Sequence, residues 1–133
     1  MFHFRHIYDK VTKKYKIVVV GGGFAGVAAA LAAAREGAKV LIVEKGNAFG
    51  GAAVHCLVDP FMPYKTKING VQTALSAGLF KTICEKLKER GAPNDYDFLE
   101  EELKYILNEM LLNAGVDILF HAYAFAVEKA NEK

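Results

Sequence analysis

The sequence predicts an α/β fold built on a parallel sheet, and three observations predict it. The β-branched run Ile17 to Val20 leads straight into Gly21-Gly22-Gly23, an Ala-rich helical pattern follows from Phe24 until Gly37, and a second apolar strand, Lys39 to Val43, closes on Glu44. That order is strand, tight turn, helix, strand, the outline of a βαβ unit.

The glycines at 21, 23 and 26 follow the GxGxxG spacing, and each has its own task. Gly21 lets the backbone leave the strand through a tight turn. Gly23 leaves no side chain between the main chain and a pyrophosphate, and Gly26 lets helix and sheet approach closely. The helix N-terminus then presents unpaired amides and the positive end of its dipole, which favour an anion without any lysine or arginine. Ala28, Ala29, Ala30, Ala32, Ala33 and Ala34 are strong helix formers, small enough to pack against strands. Glu44, at the end of the second strand, is suited to accept hydrogen bonds from an adenosine ribose and to repel a 2'-phosphate. FAD, or alternatively NAD, is therefore expected over NADP.

The uncharged run from Ile17 to Ala34, preceded by Lys13, Lys14 and Lys16, also has the outline of a signal peptide or a marginal membrane span. Neither accounts for the second strand and its terminal glutamate. Composition fits a globular domain: 133 residues, 53% of them hydrophobic, with a net charge of only +2. Such a balance excludes disorder and gives no field suited to nucleic acid. No second run is long enough for a membrane span. Cys56 and Cys84 stand in neither CxxC nor a paired-His pattern, so neither a metal site nor a disulfide framework is expected, and the compartment is read as reducing and cytoplasmic.

Residues 1–14, with His3 and His6, read as a solvated or loosely docked arm, and residues 15–133 as the domain. Lys45 to Val54 reads as a loop from its glycines. From Gly70 the pattern turns helical through Leu75, Leu79, Ile83 and Leu87, and Gly91 stops it. Asp97 then offers an N-cap with Glu100 three residues on, ahead of the stripe Leu99, Leu103, Ile106, Leu107, Met110 and Leu111. After Gly115, Val116 to Phe120 is the third strand and Tyr123 to Glu128 a short fourth. The expected architecture is Rossmann-like and three-layered, with sheet order 3-2-1 and a helical insertion between strands two and three.

The stretch GGGFAGVAAALAAAREGAKVLIVEKGNAFGGAA resembles the N-terminal signature of FAD-dependent oxidoreductases of the glutathione-reductase-like superfamily, and looks closest to the FAD-dependent oxidoreductase family proper. The resemblance covers about residues 15 to 128. It implies that Gly21, Gly23, Phe24, Ala25, Gly26, Glu44 and Lys45 hold the ADP half of FAD. It further implies that Gly50, Gly51 and Ala52 approach the pyrophosphate or flavin side, that Ala52 to His55 run near the isoalloxazine, and that Ala124 lies against the adenine. The family pattern continues with a β-meander, another parallel strand and a substrate domain. The chain therefore reads as a partial FAD-binding domain: a cloned fragment, a truncated gene product or one subunit of a split enzyme.

The expected function is FAD binding within a flavin oxidoreductase, with catalytic residues elsewhere. Its rival is a non-catalytic module that senses or carries NAD or FAD. No role is assigned to His55 or Cys56. A parallel sheet ending on Ile17 to Val20 exposes an apolar edge, so the Tyr123 to Glu128 segment, the Met1 to Lys14 arm, a second copy or a complementary subunit is expected to cover it.

Overall fold

A computed structural model of the chain describes residues 2–5 and 12–129. Its centre is a parallel three-stranded sheet of β3 (Ile17–Val20), β4 (Val40–Val43) and β7 (Asp117–Leu119), with β4 in the middle. Ile17 pairs with Val40 and Val20 with Val43, while Leu41 pairs with Asp117 and Val43 with Leu119. This is the 3-2-1 order expected. The first crossover is α1 (Phe24–Arg35), which Gly37 closes with a positive φ of 76°.

Alternation along the strands sorts the core. Val40 and Ile42 face a large cluster that also holds Val27 and Leu31 of α1 and Leu103, Ile106 and Leu107 of α4 (Glu100–Asn113). Leu41 and Val43 face a smaller cluster with Tyr15. No helix among the described residues covers that second face; Val18, Leu119 and Ala122 complete it. The Tyr15 hydroxyl donates to Asp117 Oδ2 at 2.7 Å and Lys39 lies over its ring, pinning the strand starts together. Burial and the Asp117 carboxylate push the Tyr15 hydroxyl up to about 12.

The structure corrects several sequence-based expectations. Part of the N-terminal arm is an antiparallel ribbon, β1 (Phe2–Arg5) against β2 (Thr12–Tyr15), with Phe2 opposite Tyr15. His6 lies outside the described residues. The segment from Lys45 is not loop throughout, since α2 (Ala52–His55) forms one helical turn.

Gly70 does not open a helix. Asn69 and Gly70 take positive φ values of 51° and 81°, as a two-residue hairpin turn requires, and join β5 (Lys65–Ile68) to β6 (Val71–Ala74). The helix α3 begins only at Leu79 and runs to Glu89, which leaves Leu75 exposed. The insertion between the second and third parallel strands thus carries a hairpin between the single turn of α2 and the longer helices α3 and α4.

Asp97 is not the cap of α4. Leu99 holds that position without a side-chain hydrogen bond, and Asp97 accepts instead from the Asn94 side-chain amide at 2.6 Å. Asn94 Oδ1 takes the amides of Tyr96 and Asp97, an Asx turn that competes with the capping box. Finally, Tyr123 to Glu128 forms no strand. Tyr123, Phe125 and Val127 are exposed, because no neighbouring strand among the described residues offers a ladder to them.

Candidate functional site

At the C-terminal end of the sheet the chain leaves β3 through Gly21, whose φ of +102° only glycine adopts readily, and whose amide still bonds to the Val43 carbonyl at 2.8 Å. Two residues on, the Gly23 carbonyl accepts the first helical bond, from the Val27 amide at 2.9 Å. The amides of Gly23, Phe24, Ala25 and Gly26 are those a helix start leaves without helical partners.

Geometry distinguishes the glycines. A Cβ on Gly26 would meet the Gly21 carbonyl oxygen at 1.9 Å and Val19 Cγ1 at 3.5 Å, so this position fixes helix against strand. A Cβ on Gly23 would find only the Gly51 Cα, at 4.0 Å. The space in front of Gly23 is open, and a larger side chain there would fill it.

Gly51 belongs to the later Gly-Gly pair, and the fold brings the two glycine segments together. The Gly50 amide donates to the Gly22 carbonyl at 2.9 Å. Gly50 and Gly51 have φ of 115° and 56°, and a Cβ on Gly51 would stand 3.1 Å from Gly23 Cα. Ala25 and Ala52, next in sequence to these segments, are exposed.

Glu44 is buried, 8% exposed, and is the one buried charged residue among the described residues. Its Oε2 accepts the Gly22 amide at 2.6 Å and its Oε1 the Gly46 amide at 2.7 Å. Burial works against its ionisation, but the Gly46 and Gly22 amides, with His55 and Lys45 nearby, outweigh it and hold the carboxyl below its ordinary value. A buried carboxylate at the end of the second strand is therefore charged at neutral pH. Lys45 beside it is exposed.

The chain after β7 folds over the same loop. Leu119 O accepts the Glu44 amide at 2.9 Å, Gly46 O the His121 amide at 3.1 Å, and Glu44 O the Ala122 amide at 3.2 Å. Ala124, two residues beyond, is exposed and outside regular structure. Of the residues singled out from the sequence, Gly21, Gly23 to Gly26, Glu44, Gly50, Gly51 and Ala52 converge; Ala124 does not join them by any hydrogen bond among the described residues.

Residues passed over in the sequence are also part of the site. Gly22 bonds to both Glu44 and Gly50, although the GxGxxG pattern leaves its position free. His55 Nε2 lies 3.1 Å from the Ala48 carbonyl, tying the end of α2 to the loop after Glu44. Cys56 is a free, exposed thiol, and Cys84 is free and buried. Among the described residues, no group of three His, Cys, Asp or Glu side chains is placed to hold a metal.

Comparison with known proteins gives the same direction. A sequence model of the family described as FAD dependent oxidoreductase matches residues 16–133. A glutathione reductase of Debaryomyces hansenii is 32% identical over 126 residues, covering 86% of this chain and 25% of that protein. A dihydrolipoamide dehydrogenase of Chaetomium thermophilum is 37% identical over 75 residues, covering 56% of this chain and 13% of that one. The chain thus spans about a quarter or less of these relatives. The crystal structure of Thermovibrio ammonificans THI4 shares the fold with a TM-score of 0.50 at 18% identity, covering 80% of this chain and 38% of that one.

Proposed function

The chain belongs to the FAD-dependent oxidoreductase family, with FAD as its cofactor, and on that premise we propose how this segment holds the dinucleotide. The helix-start amides from Gly23 to Gly26, including those of Phe24 and Ala25, take the pyrophosphate. Gly21 and Gly26 set the turn that aims them. Glu44 takes the ribose hydroxyls with Lys45 at the rim, while Gly50, Gly51 and Ala52 carry the cofactor toward its flavin end. Ala124 meets the adenine.

The observation that carries this reading is the hydrogen bond from Gly50 to Gly22, which joins two glycine segments far apart in sequence into one cradle. The open space before Gly23 suits an anion, and the charged Glu44 suits neutral hydroxyls rather than a 2'-phosphate.

When bound, FAD supplies hydride or electron transfer; this segment binds and orients it. The whole protein is an oxidoreductase in which residues 15–133 form part of the FAD-binding domain. Further chain, a complementary subunit or a second copy covers the open edge of β3. No helix among the described residues is long and apolar enough to cross a membrane. Two free thiols suit a reducing, cytoplasmic compartment.

Colour tests the reading. The purified chain, incubated with FAD and desalted, is expected to stay yellow and to bleach under dithionite. Colourless protein that retains NAD under the same treatment would point to a carrier or sensor module instead.

A further inference from the structure

The position between the first two glycines of GxGxxG is free in the motif, yet here it is sterically closed. A Cβ on Gly22 would come within 2.3 Å of Phe49 Cδ1, 2.9 Å of Phe49 Cε1 and 3.0 Å of Glu44 Oε2. Phe49 is fully buried, and its ring stands 4.6 Å, centroid to centroid, from that of Phe120 just after β7. It cannot swing away without opening the core.

We propose that Phe49 is a positioning residue for the dinucleotide site, acting through Gly22. Its ring fills the volume where a Gly22 side chain would stand, and so sets the Gly22 peptide groups in place. On one side the Gly22 amide reaches Glu44 Oε2 at 2.6 Å, and on the other the Gly22 carbonyl takes the Gly50 amide at 2.9 Å. Phe49 is itself the neighbour of Gly50, so one side chain fixes both partners of that bond. The adenosine side and the flavin side of the cradle are thereby coupled through a single glycine. This inference rests on the proposed FAD site.

The test is a double-mutant cycle on the full chain: parent, Gly22→Ala, Phe49→Leu and the double variant. Leucine keeps the core filled while its branches can turn aside, which a flat ring cannot do. Two readouts are taken, the ADP dissociation constant by calorimetry and the Glu44 carboxyl titration by carbon-13 NMR.

Gly22→Ala alone is expected to weaken ADP about tenfold, the scale of one overpacked methyl, and to move the Glu44 titration upward as the carboxylate loses the Gly22 amide. In the double variant both effects should largely vanish relative to Phe49→Leu. A methyl that acts equally in both backgrounds, or not at all, overturns the proposal. If Gly22→Ala fails to fold, recovery of folding in the double variant supports it and a double variant that also fails overturns it. Should the parent bind neither ADP nor FAD, the cofactor reading falls, and the Glu44 titration across the four proteins still decides the role of Phe49.

Discussion

At the scale of single residues, the glycines divide by what their missing side chain would meet. Gly23 borders open space, so Gly23→Val is expected to abolish ADP and FAD binding while leaving helical content intact, as calorimetry and circular dichroism would show. Unchanged affinity would move the phosphate site away from this turn. For Glu44, replacement with Gln should weaken adenosine-containing ligands by about 1 to 3 kcal/mol, the scale of a charge-assisted hydrogen bond reduced or lost.

Its titration makes a further prediction. Because the folded-state carboxyl lies below its ordinary value of 4.5, the stability it contributes is present above that value and is lost as pH falls through the lower one. Melting temperatures measured from pH 6 down toward pH 3 should therefore fall more steeply for the parent than for Glu44→Gln. Parallel curves would mean that the Gly22 and Gly46 amides do not hold the charge. Gly21 and Glu44 were legible in the sequence because each answers a local demand of a turn or strand end, and Gly26 because helix and strand must meet closely there. Gly22 was not, since what restricts it is Phe49, brought there by tertiary packing alone.

At the scale of elements, the parallel strands and α1 were legible because β-branched runs and an alanine-rich stretch agree with their final places. The stretch from Lys65 to Gly78, ahead of α3, was not. Leu75, Leu79, Ile83 and Leu87 fall at helical spacing, but Asn69-Gly70 is a hairpin turn, and local backbone chemistry governs the residues beside it. The reading of Tyr123 to Glu128 failed for another reason: alternation makes a strand only where a ladder awaits it.

In α4 the apolar stripe was legible, and its energetics are testable. Leu103 and Leu107 are fully buried, so either change to Ala should cost about 2 to 5 kcal/mol, whereas Leu112, 63% exposed, should cost under about 0.5 kcal/mol. Denaturant melts of the three variants check this; similar midpoints would mean that α4 does not pack against the sheet through that stripe.

At the scale of the molecule, β3 is hydrogen-bonded on one side only among the described residues, and Val20 is 62% exposed. An apolar strand edge with no proline or charge in it is a template for another strand. Sedimentation velocity over a concentration series is expected to show association of the chain; a monomer at every concentration would mean that the edge is covered within the chain itself. The central claim, however, is that one cradle of two glycine segments and Glu44 holds the ADP half of FAD. It is tested most directly by titrating the full chain with FAD in the presence and absence of ADP. The structure predicts a single FAD site from which ADP competes, since both ligands share the pyrophosphate and ribose contacts. FAD binding that ADP leaves undisturbed, or no binding of either, would contradict it.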